Sequence, residues 1–559
     1  MKKLPYGISN YEDLITQNYY YVDKTRYIEQ LENIAEKNIV FLRPRKFGKT
    51  LFTSTIQYYY DINESEKFNT LFGETYIGKN PTPLKNSYYI LRFNFSGIDT
   101  STLESTISGF KNKVIVGIEN FVGTYGLDFY INKEEAAENL LSNLFIAFKL
   151  QKRNEKIYVI IDEYDHFANE LLSFQPDNFK SLVSRNGKVR KWYEILKEGT
   201  ERVVDRIFIT GVTPITLDSM TSGFNIGTDK TRNAKFNEML GFTKLELKEL
   251  MEELEIGEEE QEKLFPILKE NYDGYKFNEE ATEKMYNSTL CLYFFNRYIE
   301  NKKVPSNLLD VNIASDYSKI AQMLTLCKSN RKKEILEEAI SDEGISADII
   351  NQFNAEQVFG ENEFVSMLFY LGYLTIKEES GLYAKLVIPN KTMKELYSAY
   401  FLKIVADELD MQISINYADI GTQMILEGKI DKAIEILRKY LNNLSNRDFQ
   451  NFDEKYVKLI FYCIAMNIKA YSVRSEQENN RKYQDILLIP TDTTKGYQAI
   501  LIEFKYLKKT EAEKLEETKI EARKQVENYG ELEQIKNISN LNKYIVIAVN
   551  DEIYVERID

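Results

Sequence analysis

Histidine and cysteine are scarce in this sequence. The 559 residues include one histidine, His166, and three cysteines, Cys291, Cys327 and Cys463, which lie far apart in the chain. Structural zinc sites take four Cys or His ligands at short spacings, so this composition excludes a zinc site of that kind. Widely separated cysteines also argue against a disulfide framework and favour a reducing compartment.

Long apolar runs are also missing. No stretch approaches the ~20 apolar residues that a membrane helix requires, and the first residues lack the apolar segment of a secretory signal. We therefore expect a cytoplasmic protein with no membrane partner. The formal net charge of −14 argues against a uniform electrostatic hold on nucleic acid, but it leaves room for a local basic groove.

The sequence does contain a phosphate-loop pattern at residues 39–51. An apolar run leads into a short basic turn, the turn closes with Gly-Lys-Thr, and a helical pattern follows. The P-loop pattern G-x-x-x-x-G-K-[ST] is met except at its first glycine, where Arg43 stands. We expect Lys49 to reach the β- and γ-phosphates and Thr50 to hold Mg²⁺. The predicted nucleotide-binding residues of the loop are Arg45, Lys46, Phe47, Gly48, Lys49, Thr50 and Leu51. A strand-to-helix turn that carries Gly-Lys-Thr by chance is the alternative.

A second motif, at residues 157–163, supports the nucleotide-binding interpretation. Five largely β-branched or aromatic residues precede Asp162 and Glu163, and such a run is typical of a strand buried on both faces of a parallel sheet. Ligands bind at the carboxyl edge of such sheets. We therefore expect Asp162 to hold Mg²⁺ and Glu163 to polarise an attacking water. Ordinary surface acids after an apolar strand are the alternative.

A further predicted strand, at residues 206–213, ends in small polar groups. Thr210 or Thr213 could contact the γ-phosphate or the attacking water, and we assign Thr210 to the nucleotide site. Capping of the next helix is the alternative role for these hydroxyls. The tyrosines of residues 19–21 precede the P-loop strand, where a base pocket often forms, but we favour packing for them.

Strands alternate with helices across residues 1–240, which predicts a parallel sheet with right-handed crossovers. From about Gly241 the sequence changes to charged amphipathic helices, and the alternation returns after about residue 450. We therefore predict an α/β protein in three parts. They are a P-loop parallel-sheet core at 1–240, a helical lid or linker region at 241–445, and a C-terminal α/β domain at 446–559.

Within the C-terminal part, residues 483–489 and 497–507 have the pattern of two hairpin strands. Glu503 and Lys505 lie two residues apart, so their side chains share a face, and hairpin pairing can bring Asp485 alongside them. Two carboxylates suit Mg²⁺, and a lysine can stabilise developing phosphate charge. The predicted catalytic residues are Asp485, Glu503, Lys505 and Gln525, with Asp485 and Glu503 as metal ligands and Glu454 as a further acid. An exposed Glu-x-Lys ion pair is the alternative.

Several local sequences together resemble one family. They are Leu-Pro-Tyr-Gly-Ile-Ser at 4–9, Tyr-Val-Asp-Lys-Thr at 21–25, Arg-Pro-Arg-Lys-Phe-Gly-Lys-Thr at 43–50, Ile-Asp-Glu-Tyr-Asp at 161–165 and Asn-Tyr-Asp-Gly-Tyr at 271–275. In this combination the chain resembles the bacterial AAA-ATPase-like proteins that carry a C-terminal PD-(D/E)XK nuclease-superfamily domain. The resemblance implies an AAA-like ATPase core and a C-terminal restriction-endonuclease-like fold. It also implies ATP and Mg²⁺ bound through Lys49, Thr50, Asp162 and Glu163, and a nuclease-like centre at Asp485, Glu503 and Lys505 supported by Gln525.

The motifs and the resemblance lead to the hypothesis of an ATP-dependent nuclease that acts on DNA or RNA in defence against mobile elements. The alternative is a nucleotide-dependent switch or scaffold whose nuclease-like domain binds but does not cleave. A purely structural protein is a third interpretation. A homo-oligomer is compatible with the sequence, and Arg206 and Arg232 are candidates for an arginine finger.

Overall fold

The chain forms two compact units. One comprises Met1–Asn330 with Gly344–Thr392, and the other comprises Arg331–Glu343 with Met393–Asp559. The predicted three-part division, with boundaries near 240 and 445, stays a prediction. The computed structural model describes residues 2–174, 181–182, 187–214, 227–305, 307–309, 331–340, 344–351, 353, 360–380, 383–444, 454–479, 482–492, 495–530 and 533–558. Cys327 lies outside these ranges, and within them no helix is long and apolar enough to cross a membrane.

The described elements alternate as an α/β protein should. The strands are β1 Asn38–Leu42, β2 Tyr88–Asn94, β3 Lys156–Asp162, β4 Val204–Gly211, β5 Thr228–Asp229, β6 Ile345–Ala347, β7 Thr375–Ser380, β8 Tyr383–Val387, β9 Tyr471–Asn479, β10 Lys482–Pro490, β11 Ala499–Leu507, β12 Leu541–Val549 and β13 Glu552–Ile558. The helices are α1 Tyr11–Thr16, α2 Arg26–Glu32, α3 Lys49–Tyr60, α4 Phe68–Phe72, α5 Tyr76–Lys79, α6 Leu103–Tyr125, α7 Ala137–Leu150, α8 His166–Phe174, α9 Lys188–Thr200, α10 Lys244–Glu253, α11 Glu258–Tyr272, α12 Ser288–Asn301, α13 Lys332–Ile340, α14 Glu361–Tyr370, α15 Lys391–Glu408, α16 Tyr417–Glu427, α17 Asp431–Asn442, α18 Glu454–Met466, α19 Leu515–Gly530 and α20 Glu533–Lys536.

A parallel five-stranded sheet organises the first unit. Its strand order is β2-β3-β4-β1-β5, and the neighbouring strands pair in parallel throughout. The apolar runs of β1, β3 and β4 are buried along almost their whole length, as expected for strands with both faces covered. The P-loop follows β1 and Glu163 follows β3, so both motifs lie at the carboxyl edge of this sheet. The predicted parallel-sheet core is confirmed.

Helix boundaries in this unit follow local capping chemistry. Thr102 and Ser105 form a capping box at the start of α6, and Gly126, with φ of 57°, ends that helix in the left-handed conformation. At α12 the Asn287 side chain accepts a hydrogen bond from Leu290 N at 3.2 Å. These contacts satisfy backbone groups that a helix end leaves without partners.

The region predicted as helical also contains a small antiparallel sheet, with strand order β6-β8-β7. Its strands are three to six residues long, too short for a clear alternating pattern to stand out from the surrounding helices. The aromatic turn at residues 271–277 is buried in the same unit. Gly274 has φ of 104°, and a Cβ added there would lie 2.1 Å from Pro389 O.

A mixed five-stranded sheet, of order β13-β12-β11-β10-β9, forms the second unit's C-terminal part. Strands β10 and β11 pair antiparallel, so the predicted hairpin is confirmed, whereas β11 and β12 pair in parallel. Strand β9 was not predicted because its sequence is mostly polar. Helix α19 contributes Ala522, Val526 and Tyr529 to an apolar cluster with Leu501 and Ile545.

Replacing Gly274 with alanine should destabilise the first unit, because the new Cβ would meet a backbone oxygen and the left-handed φ would add about 1–3 kcal/mol of strain. Gly123→Ala is the matched control, since a Cβ there meets nothing within 4 Å and the change in a helix should stabilise by roughly 0.5–1 kcal/mol. Thermal unfolding of both variants tests this, and an unchanged midpoint for Gly274→Ala would contradict it.

Candidate functional sites

A cavity of about 500 Å³ opens beside the P-loop. Its lining includes every loop residue predicted to bind nucleotide, namely Arg45, Lys46, Phe47, Gly48, Lys49, Thr50 and Leu51. Apolar side chains also contribute, among them Ile8, Tyr20, Phe242 and Leu292. This volume lies within the range of small-ligand pockets, and the cavity combines a phosphate-binding loop with an apolar region.

The loop's backbone takes its shape from two residues in the left-handed region. Gly48 has φ of 92° and precedes the first residue of α3, while Lys46 has φ of 68°. A Cβ at position 48 would meet nothing within 4 Å, so the glycine is required here for its left-handed backbone conformation. Lys49, Thr50 and Leu51 at the start of α3 line the cavity, and the N-terminus of a helix favours bound anions.

Lys49 lies across the loop that it belongs to. Its Nζ donates to Arg43 O and Pro44 O, both at 3.0 Å. Burial lowers the pKa of Lys49 to about 8, against the opposing effect of Glu163 and the acids beside it. Within the described residues, the hydrogen-bond acceptors of this ammonium group are therefore two backbone carbonyl oxygens. A phosphate oxygen would be a stronger acceptor.

Arg43, which replaces the first glycine of the P-loop pattern, is buried with 1% of its surface exposed. Its guanidinium lies 4.2 Å from the ring centre of Phe41 and 4.1 Å from that of Phe277. It donates to the carbonyl oxygens of Leu42, Thr231 and Phe236 at 2.8–2.9 Å. Burial lowers the pKa of Arg43 to about 9. The side chain thus fastens the loop's first residue to the core and leaves the cavity to its later residues.

Segments far along the chain hold the middle of the loop. The Phe47 ring makes edge contacts with Tyr275 and Phe277 at centroid distances of 5.0 and 5.5 Å. Gly241 N donates to Phe47 O at 3.1 Å. The hydroxyl of Thr289, at the start of α12, donates to Lys46 O at 2.8 Å. The aromatic turn at 271–277 therefore supports the P-loop directly.

Asp162 and Glu163 end β3 in different environments. Asp162 is fully buried, its Oδ2 lies 3.4 Å from Arg92 Nη2, and its Oδ1 has no hydrogen-bond partner among the described residues. Glu163 lines the cavity and has φ of 51°, a conformation that costs a non-glycine residue free energy and is found mostly at functional sites. The sequence pattern did not indicate Arg92, whose guanidinium also donates to Gln57 and Thr53 of α3.

Asp165 fastens the turn after β3 to the end of β4. Its carboxylate accepts hydrogen bonds from Val212 N at 3.0 Å and from Thr213 N and Oγ1 at 2.7 and 2.8 Å. Thr213 therefore positions Asp165. The predicted nucleotide contact of Thr210 has a competitor, because the Thr210 hydroxyl is buried and donates to Phe41 O at 2.9 Å. A contact between the Thr210 hydroxyl and a nucleotide would require its hydrogen bond to Phe41 O to break.

The two arginine-finger candidates are engaged elsewhere. Arg206 lies near the start of β4, paired in register with Tyr158, at the edge of the sheet opposite the P-loop. Arg232 forms an ion pair with Glu279 and lies near Ile349 O. Neither residue lines the cavity beside the P-loop.

In the second unit, Asp485 is held from both sides. Its Oδ2 accepts a hydrogen bond from Phe504 N at 2.7 Å, and its Oδ1 accepts one from Lys458 Nζ at 2.9 Å. The first contact fixes the carboxylate against β11. The second comes from α18, and the sequence pattern did not indicate this lysine.

Glu503 and Lys505 form the rest of the predicted cluster. Lys505 Nζ lies 2.8 Å from Glu503 Oε1 and 3.7 Å from Glu454 Oε1. Burial and the charge of Asp485 raise the pKa of Glu503 to about 7, which places the two carboxylates in electrostatic contact. Burial opposes the Lys505 charge, but the hydrogen bond with Glu503 and the charges of the neighbouring acids together outweigh burial and raise the pKa of Lys505. Glu503 Oε2 is buried, and no hydrogen-bond partner for it lies in the part of the chain that the structure describes.

Helix α19 adds two residues one turn apart. Gln525 Oε1 is buried without a hydrogen-bond partner. Tyr529 was not predicted, and burial together with the charges of Glu503 and Asp485 raises its pKa. A buried tyrosine next to two acids had no signal in the sequence, because aromatic residues are common on the inner faces of helices.

The residues present fit Mg²⁺ at both centres. Mg²⁺ is commonly held by one or two carboxylates, with waters and substrate phosphates completing its shell. Asp162 Oδ1 and Glu503 Oε2 are buried carboxyl oxygens for which the described residues supply no hydrogen-bond donor. Among the described residues no group of three or more His, Cys, Asp or Glu side chains could hold a metal ion. A Mg²⁺ ion at either centre would therefore need waters or substrate phosphate oxygens as further ligands.

Comparison with known proteins gives two family matches and one curated relative. Residues 5–221 match the family described as a predicted AAA-ATPase, and residues 452–557 match the PD-(D/E)XK nuclease superfamily. The chain is 26% identical over 305 residues to an uncharacterized protein in the vnfD 5′ region of Azotobacter chroococcum mcd 1. That match covers 53% of this chain and 52% of the relative, so the chain spans about half the length of the curated relative that it matches.

Replacing Arg43 with lysine should destabilise the first unit by about 3 kcal/mol, because an ammonium group cannot reproduce the planar stacking and the forked hydrogen bonds. Nucleotide affinity should fall with it, since the loop loses its anchor. Arg26→Lys is the control, because Arg26 is a partly exposed arginine paired with Glu238. Denaturant unfolding and nucleotide titration measure both effects. Equal behaviour of the two variants would contradict the anchoring role.

Proposed function

Because this chain carries an AAA-ATPase-like domain and a PD-(D/E)XK nuclease-superfamily domain, we propose that it couples ATP hydrolysis to Mg²⁺-dependent cleavage of DNA or RNA. One observation carries the proposal. Each predicted centre contains a buried carboxylate oxygen that has no hydrogen-bond partner within the described ranges, Asp162 Oδ1 in one and Glu503 Oε2 in the other. A buried, unpartnered anionic oxygen costs free energy, and a divalent cation would remove that cost.

The nucleotide cavity supports ATP as the ligand. Its P-loop end provides the N–H groups of α3 and the Lys49 ammonium for the phosphates, and its apolar side chains suit a base. Glu163 lines the same cavity and is the group that accepts a proton from, or orients, the attacking water. Bound Mg²⁺ would neutralise phosphate charge, with Thr50 and Asp162 as the residues to hold it.

The C-terminal cluster supports phosphodiester chemistry. Asp485 and Glu503 would hold Mg²⁺, which polarises the phosphate and lowers the pKa of water when it is bound. Lys505, fixed against Glu503 at 2.8 Å, stabilises the negative charge that develops on the phosphate. Gln525 has a buried acceptor oxygen to orient water. Glu454, in contact with Lys505, limits that lysine's freedom.

A nucleotide-dependent switch whose nuclease-like domain binds without cleaving is the second candidate. It is favoured by the contacts of Asp485, because both of its oxygens already accept hydrogen bonds from the protein. The two functions differ in one measurable property, which is strand cleavage in the presence of Mg²⁺.

In the nucleotide site, Glu163→Gln should retain ATP binding and slow phosphate release by about 10²-fold or more, because a general base contributes that much. Lys49→Ala should instead weaken ATP binding. Fluorescent-nucleotide titration and phosphate-release assays separate the two effects. Glu104→Gln is the control, since Glu104 is an exposed acid in the same unit. ATP hydrolysis by Glu163→Gln at the wild-type rate would contradict the proposed role of Glu163 in activating the attacking water.

In the C-terminal centre, Asp485→Asn should abolish Mg²⁺-dependent cleavage of single- and double-stranded DNA and RNA while ATP turnover persists. The amide keeps the size of the side chain but removes the charge that attracts the ion. Asp551→Asn, at an exposed position of the β12–β13 turn, is the control and should cleave normally. Cleavage by Asp485→Asn at the wild-type rate would contradict the nuclease assignment. ATP turnover without strand cleavage by the wild-type protein would favour the nucleotide-dependent switch.

A further inference from the structure

Lys458 is the charged partner of the predicted catalytic aspartate. It lies on α18, one turn after Glu454, and its Nζ is 2.9 Å from Asp485 Oδ1. The two side chains are 13% and 11% exposed, so water screens this pair only weakly. Removal of one partner from a buried ion pair leaves the other charge uncompensated, which costs far more than the loss of an exposed pair.

The other carboxylate oxygen of Asp485, Oδ2, is less accessible to a cation than Oδ1. Asp485 Oδ2 accepts a hydrogen bond from Phe504 N at 2.7 Å, and this contact is buried. The backbone N–H belongs to β11 and cannot leave without distorting the strand. Among the described residues, the hydrogen-bond donor to Oδ1 is the long side chain of Lys458, which can change rotamer. A cation that binds Asp485 would therefore meet Lys458 first.

The charges around Asp485 are close to balance. Glu454, Asp485 and Glu503 are acids, and Lys458 and Lys505 form direct ion pairs with them. With all five groups ionised, the cluster has a formal charge of −1. Addition of a divalent cation would bring it to +1 in a partly buried place, where like charges repel strongly. The ion and Lys458 therefore compete for the same carboxylate.

We propose that Lys458 is an internal cation that neutralises Asp485 in the metal-free protein and must release it when a divalent cation binds. This role rests on the proposed function, because it assumes a metal at Asp485. Lys458 then sets the metal affinity of the centre, and it keeps the pair of acids stable when no ion is bound. A merely structural ion pair would affect folding without raising metal affinity on its removal.

Direct Mn²⁺ binding tests the proposal without relying on cleavage. Electron paramagnetic resonance of free Mn²⁺ is recorded with the full chain, without nucleotide, for wild type, Lys458→Gln, Lys458→Met, Lys458→Arg and Asp485→Asn. Binding that Asp485→Asn removes is assigned to this centre. Lys458→Gln and Lys458→Met should bind Mn²⁺ there at least about tenfold more tightly, the scale on which a neighbouring charge changes a carboxylate's affinity for a cation. Lys458→Arg keeps the positive charge and should stay near wild type.

Thermal unfolding with and without Mn²⁺ provides the second measurement and checks that each variant folds. The neutral variants should have lower midpoints than wild type without Mn²⁺ and larger upward shifts when it is added. Equal or weaker Mn²⁺ binding by both neutral variants, with the site still lost in Asp485→Asn, overturns the role of Lys458 and leaves the proposed function intact. If Asp485→Asn binds Mn²⁺ as the wild type does, both the role of Lys458 and the proposed function are overturned.

Discussion

A buried arginine holds the phosphate-binding loop in this protein. The Arg43 guanidinium lies between the Phe41 and Phe277 rings and donates to three carbonyl oxygens, so the residue in place of the usual glycine serves as an anchor. The loop beyond it then takes the left-handed turns at Lys46 and Gly48. Because Arg43 contacts segments almost 200 and more than 230 residues later in the chain, the loop's shape depends on the fold around it.

The same dependence extends to the acids of the nucleotide site. Asp165 binds the end of β4, and Arg92 links Asp162 to α3. Glu163 lies between these two fixed residues with a left-handed backbone. The strained conformation is sustained because the neighbours on both sides are tied to different strands. A residue that must face a cavity is thereby kept there at the expense of local backbone free energy.

Charge burial is the shared physical feature of the two centres. Each gathers carboxylates and at least one lysine where little water reaches, and each leaves one buried carboxylate oxygen without a partner. They differ in how the lysine is satisfied. Lys49 donates to loop carbonyls, which a phosphate can replace, whereas Lys505 and Lys458 pair with the acids themselves. The Lys49 ammonium is thus held by acceptors that an anion can replace, whereas the lysines of the C-terminal cluster offset the charge of the acids beside them.

The sequence by itself determined the parallel-sheet core, the strand–loop–helix order at Lys49, the acids after β3 and the hairpin of Asp485 and Glu503. Those features depend on apolar runs, turn residues and side-chain alternation, which are local in the chain. Only the tertiary structure decided the roles of Arg43, Arg92, Lys458 and Tyr529, the pairing of β9, and the small sheet of β6, β7 and β8. These depend on contacts between distant segments or on strands too short or too polar for a periodic pattern. A lysine on an amphipathic helix looks the same in sequence whether it faces water or a buried carboxylate, and only packing distinguishes the two.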